Sequence, residues 1–454
     1  MTIARIDDCL SVRDDHLFVE ELDSVGLVAE FGSPLFVVSE DQLRRTAQRF
    51  QKAFQAGWTD GEVKVMPAAK ANWIVAVQRI LADEGCGADV YSSGELTATL
   101  DAGFDPQFIS VNGVPKDPEH VRRTVEVGAR LTIDSTEEVD WLERAVKELG
   151  KTAKVRLRLR PVVSEFTEYS EFVSEGFLPT DIVAQVYKGG LSYDEIVPVA
   201  RRIVAMEGVE LVGFHEHHGR HHASTRYWQA QMKAYAAEIA RVCRLLGGYR
   251  PNEIDIGGGF ATRRDPFNAA TDYATPLQLG AFYALSKFLK PFGTERRYKV
   301  LSRLIERIVV GEPKKLRAPS IEDYARTCTS TLRSELRANG IDPKGIMLQL
   351  EPGRSMHADA GIHLSTVQAL KQSPGPVPWN IVTIDTTEFW FTGGRIEHHL
   401  HDYRVANKAS AARTIKTDVV GRSCYGDRLL PAVMLPEVER GDIIAFLDTG
   451  GYQE

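Results

Sequence analysis

Eight short β-prone runs spaced by amphipathic stretches constrain this 454-residue chain more than any other feature. They are Val63–Met66, Ala88–Tyr91, Phe108–Val111, Leu131–Ile133, Val155–Leu159, Leu211–His215, Glu253–Ile256 and Ile346–Leu350. Segments such as Pro118–Val127 and Thr136–Leu149 repeat their apolar residues at helical spacing. Strands alternating with helices call for a parallel sheet, because parallel neighbours need a long crossover connection. Eight such units favour an α/β fold of the TIM (β/α)8 barrel type over an open sheet. Nearly every run ends on polar or glycine residues: Lys70, Ser92-Ser93, Asn112-Gly113, Asp134-Ser135, Arg160, His217, Gly257-Gly258-Gly259 and Glu351. In a barrel these ends share the C-terminal face, where side chains from different strands converge.

The rhythm changes near residue 378. Pro374, Pro376 and Pro378 mark a boundary, and the β-prone runs Asn380–Ile384 and Asp442–Leu447 follow with no long helix between them. The expected organisation is an N-terminal segment 1–35 joining a β domain, a barrel over 36–378, and a C-terminal β-rich domain over 379–454. Two stretches exceed a minimal barrel. One is the polar, aromatic-laced loop Glu165–Tyr187; the other is an insertion over 260–344, helical at Leu279–Phe292 and Ile321–Ala338.

Composition excludes several classes. With 43% hydrophobic and 26% charged residues the chain reads as an ordinary soluble globular protein. A formal net charge of -7 offers no basic surface for nucleic acid. No apolar run is long enough to span a bilayer, and the first residues lack the apolar core of a signal peptide. Five cysteines without C-x-x-C spacing read as reduced thiols of a cytoplasmic protein.

Several motifs carry chemistry. Lys70, within Ala68-Ala69-Lys70-Ala71-Asn72, has small neighbours that leave its amine uncrowded, which suits Schiff-base formation with a carbonyl. Gly257-Gly258-Gly259 follows a strand and lets the backbone approach a phosphate closely. Neither a G-x-G-x-x-G nor a Walker pattern is present, which disfavours a nucleotide. A cluster of His215, His217, His218, His221 and His222 invites a metal, but H-E-x-x-H fails because Gly219 stands where its second histidine belongs. No metal is assigned.

Together with Gly87-Ala88-Asp89-Val90, Ser93-Gly94-Glu95-Leu96, His215-Glu216-His217-His218-Gly219, Asp255-Ile256-Gly257-Gly258-Gly259-Phe260, Glu351-Pro352-Gly353-Arg354, Cys424 with Asp427, Gly441-Asp442 and Gly450-Gly451-Tyr452, Lys70 completes an ordered series. The series resembles the fold-type III pyridoxal-phosphate decarboxylases, the family of diaminopimelate and ornithine decarboxylases, over roughly residues 30 to 454. The resemblance implies a pyridoxal 5'-phosphate enzyme that decarboxylates an amino acid, a diamino acid or a derivative, through an aldimine at Lys70. It places Glu351 opposite the pyridine nitrogen and stacks His217 on the ring. Gly257, Gly258, Gly259, Gly353, Arg354 and Tyr452 form the phosphate cup, and Asp89 and Arg158 lie near Lys70. It makes Cys424 the acid that protonates Cα, supplied by the neighbouring subunit of a homodimer.

Departures concern the substrate. Tyr425 follows the cysteine where relatives acting on basic amino acids carry an acid, so Asp402, Asp427 and Tyr425 become the candidate substrate contacts. Glu397 and His401 replace the arginine and tyrosine with which diaminopimelate-type enzymes hold a distal carboxylate, and Arg220 replaces a small serine near the phosphate. Two rival readings share the barrel. A fold-type III racemase or other lyase would need a second base opposite Lys70 and neither Cys424 nor Glu351. A non-catalytic relative should lose the lysine and phosphate motifs, which are intact here.

Overall fold

The computed structural model describes residues 4–114, 116–163, 188–217, 223–262, 276–308, 318–372, 380–391 and 401–453. The loop over 165–187 and positions 218–222, 397 and 400 lie outside them. Two compact units divide the chain: Leu43–Arg263 with Ala318–His357, and Met1–Gln42 with Arg264–Arg317 and Ala358–Glu454.

The first unit is the barrel. Its strands are β1 (Val63–Val65), β2 (Ala88–Val90), β3 (Ile109–Val111), β4 (Arg130–Ile133), β5 (Ala153–Arg158), β6 (Val209–His215), β7 (Glu253–Asp255) and β8 (Met347–Leu350). They form one eight-stranded sheet in the order β1-β8-β7-β6-β5-β4-β3-β2. A parallel bridge between Ala68 and Asp89 closes the ring, with the Asp89 N–H donating to the Pro67 carbonyl at 3.1 Å. All eight runs read from the sequence are strands.

Alternation along the strands decides what fills the barrel. Leu131, Ile133, Val155, Leu157, Ile254, Leu348 and Leu350 are buried on one set of positions. The other set is polar and equally buried: Arg130, Thr132, Arg156, Arg158, Glu253, Asp255 and Gln349. Successive strand residues point to opposite faces, so the two sets cannot share a side. Arg130 of β4 reaches Glu253 of β7 at 2.8 Å, and Arg156 of β5 reaches Asp255 of β7 at 2.7 Å. Only the interior connects these non-adjacent strands. This barrel therefore has an ionic axis where branched apolar residues are the usual filling.

Helices surround the strands with ordinary start and stop signals. Asp117 caps Pro118–Val127 by accepting from the His120 N–H, and Gly128 ends that helix in the left-handed region at φ 78°. Ile321–Ala338, opened by a capping box at Ser320 and Asp323, buries Tyr324, Cys328, Leu332 and Leu336. Its Tyr324 meets Trp228 of the helix Thr225–Leu245 edge-on, with ring centroids 6.0 Å apart. The insertion expected over 260–344 thus overran a barrel helix, because a helix that closes a barrel and one that is inserted carry the same apolar period. Helices Pro276–Phe288 and Thr294–Ile308 fall in the second unit.

In the second unit the long strand Gly361–Gln372 pairs with Ile443–Leu447, Asn380–Ile384 and the N-terminal strand Leu35–Val38. Leu10, Leu17 and Val19 of the N-terminal strands share a core with Ile362, Leu364, Ile443 and Leu447. The compact units consequently divide at 42/43 and 357/358 instead of 35/36 and 378/379. The proline cluster read as a boundary lies outside the described residues, between two strands that pair antiparallel. Among the described residues, no helix is long and apolar enough to cross a membrane.

Candidate active site

Lys70 sits on a single 3-10 turn, Ala69–Ala71, just beyond β1. That turn is pinned at its leading residue: the Ala68 N–H donates to the Pro352 carbonyl at 3.2 Å, and Ala68 bridges to Asp89. Ala69 and Ala71 are buried, and any larger side chain there would have to displace neighbours. The lysine side chain remains 37% exposed, with Nζ 3.1 Å from Asp89 Oδ2.

From Asp89 a chain of hydrogen bonds runs across the mouth. Asn112 Nδ2, at the end of β3, donates to Asp89 Oδ1 at 2.8 Å and to Glu351 Oε1 at 2.6 Å. Glu351, the first residue after β8, places Oε2 3.2 Å from His215 Nε2 at the end of β6. Arg156 Nη2 lies 3.4 Å from Asn112 Oδ1 and ties this chain to the ionic axis.

Burial sets the charges. The Glu351 carboxyl is pushed up to about 8, chiefly by desolvation and then by the Asp89 charge, against the pull of Arg156 and Lys70. Asp255 rises to about 7 through desolvation and then the charge of Glu351. His215 falls to about 3 because burial disfavours the imidazolium. A cation set against Glu351 would draw its carboxyl back to the ionised form. His215, Asp255 and Glu351 bring one ligand atom each within 4.8 Å of one another. Those residues already bond to each other or to Arg156, so the trio belongs to the charge network.

The glycine run follows β7 directly. The Gly257 N–H donates to Asp255 Oδ1 at 2.9 Å, and the Gly258 N–H reaches His217 Nδ1 at 3.2 Å, which fixes that ring. A Cβ on Gly258 would stand 2.1 Å from the Glu351 carbonyl oxygen, and Gly257 has φ +64°. Both positions demand glycine, and Gly259 continues the turn at φ 101°. Arg158 contacts Asp134 at 3.4 Å and the His217 carbonyl at 3.5 Å. Gly353 and the buried Arg354 follow Glu351 at the start of the short helix Arg354–His357.

The remaining expected residues lie in the second unit. Cys424 is exposed, whereas the other four cysteines are buried. Tyr425 beside it is 53% exposed and lies 6.2 Å, ring to ring, from Phe389, itself 61% exposed. Asp427, expected to meet substrate, is buried with a left-handed backbone at φ 39°. Its carboxylate accepts from the Glu388 N–H at 2.5 Å, Thr387 Oγ1 at 3.1 Å and the Ser423 N–H at 2.7 Å. Oδ1 is taken by Thr387 and Glu388 and Oδ2 by Ser423, so Asp427 ties the loop that carries Cys424 and Tyr425 to the segment at 387–388. Asp402 accepts from the Tyr403 N–H at 3.0 Å and faces Arg404 at 3.7 Å. The His401 ring bonds the Leu447 carbonyl at 2.9 Å. Tyr452 is half-buried, with φ 62°.

Sequence reasoning missed Asn112, Arg156, His215 and Asp255 as members of the site. A signal was present: arginine, aspartate and glutamine recur at alternate positions of β5, β7 and β8, where a buried strand should be apolar.

Residues 40–279 match the family described as pyridoxal-dependent decarboxylase, pyridoxal binding domain. The chain is similar to the diaminopimelate decarboxylase of Archaeoglobus fulgidus, at 26% identity over 97% of this chain and 88% of the relative. The diaminopimelate decarboxylase of Synechocystis is 27% identical, over 94% and 79% of the two chains. Among solved structures, diaminopimelate decarboxylase from M. jannaschii in complex with L-lysine superposes with a TM-score of 0.78 at 23% identity, covering 98% of this chain and 88% of the other. Lysine/ornithine decarboxylase from Vibrio vulnificus, complexed with putrescine, gives 0.66 at 15% identity, covering 94% and 93%. These structures share the fold.

Proposed function

We infer the reaction from one premise: this chain belongs to the pyridoxal-dependent decarboxylase family, whose pyridoxal-binding domain residues 40–279 match. It is a pyridoxal 5'-phosphate-dependent carboxy-lyase acting on an amino acid. The observation that carries the mechanistic reading is the unbroken chain Lys70–Asp89–Asn112–Glu351–His215 at the barrel mouth. Its residues fit the cofactor. Lys70 offers an amine for the aldehyde, Glu351 a buried acid for the ring nitrogen, and His217 a fixed imidazole for the ring face. The glycine run offers close backbone for the phosphate, with Gly353, Arg354 and Tyr452 as further proposed contacts.

When bound, the cofactor supplies a conjugated ring that takes up the electron pair released with CO2. Glu351 would face the ring nitrogen and hold a proton there, its buried carboxyl being matched to that task. Asp89 orients the Lys70 amine. His217, anchored by the Gly258 N–H, covers one ring face and excludes water from it. Arg158 fixes the His217 backbone through its carbonyl. Cys424 gives a proton to substrate Cα after CO2 leaves. The proposed substrate is a diamino acid or derivative, with Tyr425 and Asp402 as the contacts for its distal group. Relatives named for diaminopimelate, lysine and ornithine support that class.

Borohydride treatment of the purified protein tests the lysine. A band at about 420 nm should vanish on reduction, and peptide mapping should find the pyridoxyl group on Lys70. A label on another lysine, or on none, overturns the assignment.

The active unit is proposed to be a cytoplasmic homodimer, with Cys424 supplied across the subunit contact. An exposed aromatic pair beside an exposed thiol supports a covered surface. Mixing Lys70→Ala with Cys424→Ala subunits should restore at most about a quarter of wild-type activity under random exchange. Verified heterodimers without activity would refute a shared site.

A further inference from the structure

We propose that Asn112 is a positioning residue that holds Asp89 and Glu351 at one fixed spacing, so that Lys70 and the ring-nitrogen acid act on the same cofactor. This rests on the decarboxylase reading above. Asn112 is 6% exposed and stands between strands that never pair: Asp89 belongs to β2 and Glu351 follows β8. A primary amide has two N–H bonds on one nitrogen, diverging in a plane. Here both are used, one toward Asp89 Oδ1 at 2.8 Å and one toward Glu351 Oε1 at 2.6 Å. The amide cannot be turned over without loss, because Oδ1 accepts from Ser110 Oγ at 3.0 Å and from Arg156 Nη2 at 3.4 Å.

Two buried carboxylates this close repel, and two donors between them relieve the repulsion without adding net charge. Without those donors, the carboxyls can share a single proton with each other. Asp89 would then turn from Lys70, and Glu351 from the ring nitrogen. Aspartate has nearly the same shape as asparagine but no donor at either position when ionised. Alanine leaves a gap. Alanine therefore removes the donors without adding charge, and aspartate replaces them by a third carboxyl.

The test has one readout that needs no cofactor. In cofactor-free protein, the Glu351 carboxyl is titrated by carbon-13 NMR, its signal identified by disappearance in Glu351→Gln. The groups facing it are Asp89, Lys70, Arg156, His215 and Asp255. Loss of a donor to the ionised form should move the midpoint upward by about one pH unit in Asn112→Ala, and further in Asn112→Asp, which adds a like charge. In the loaded enzyme both variants should lose about 10²-fold in kcat with a smaller change in KM, aspartate being at least as damaging as alanine. If Asn112 merely fills space, Asn112→Ala, which adds no charge, will leave the Glu351 midpoint where it is. An unmoved midpoint with kcat within about threefold of wild type overturns the proposal. Should the aspartate variant not fold, the alanine variant decides by the same midpoint. Failure of the borohydride label at Lys70 would fell the decarboxylase reading alone, since the carboxyl titration reports the Asn112 contact independently.

Discussion

Glu351→Gln is expected to lower kcat by about 10²–10³-fold, or roughly 2.7–4 kcal/mol of transition-state stabilisation, with the cofactor still bound. Glutamine keeps the shape, an acceptor Oε1 for the Asn112 N–H and an Nε2 that can donate to an unprotonated His215 Nε2, so the scaffold of the site should survive. Under the proposed role it removes the proton that Glu351 would hold at the ring nitrogen and the negative charge that would balance the ring. Steady-state kinetics beside a cofactor count by absorbance separates the two effects. Near-normal turnover with full occupancy would remove Glu351 from that role. The same variant carries a signature in stability. Glu351 is raised from 4.5 to about 8, so the folded protein binds more protons than the unfolded chain across that interval, and stability falls as pH rises through it. His215, lowered from 6.5 to about 3, acts in the opposite sense below pH 6.5. Above pH 6.5 the opposition from His215 ends. Cofactor-free wild type should lose stability between about pH 6.5 and 8, and Glu351→Gln should flatten that slope.

Arg156→Met is the second large effect. The guanidinium is wholly buried, with Asp255 Oδ2 at 2.7 Å and Gln349 Oε1 at 2.5 Å. Methionine fills comparable length but leaves Asp255 buried without its partner, and such losses are worth about 3–5 kcal/mol. Asp255 already titrates near 7 with the arginine present, and its loss pushes the carboxyl higher. Protonation then relieves the unpaired charge at low pH. The destabilisation should be largest at about pH 8 and shrink toward pH 6, as urea unfolding at the two values would record. Equal losses at both would mean that packing, not charge, is what Arg156 supplies.

Local signals made most of the fold legible. Pro118–Val127, Thr136–Leu149 and Ile321–Ala338 carry their own apolar period and caps, and each is a helix over that span. The division into units was not legible, because it depends on Leu35–Val38 pairing with Gly361–Gln372, a contact between distant parts of the chain that no local pattern announces. The site divides in the same way. Lys70 and Glu351 announce themselves by motif, whereas Asn112 matters only because three strand ends converge on it. Asp427 shows the converse: its motif is clear, yet a buried carboxylate with three donors is committed to joining its loop to Thr387 and Glu388.

The ionic axis restricts how this barrel can diverge. Arg130 and Glu253, buried at 4% and 5% exposure, meet at 2.8 Å, and Gln349 joins Glu253 at 3.0 Å. Exchanging such a pair together for well-packed apolar residues is often harmless, whereas removing one member strands a charge. Single steps away from this sequence are therefore blocked where double steps are open. Among descendants of this chain, positions 130 and 253 should co-vary, kept together or replaced together, although they lie far apart in the sequence.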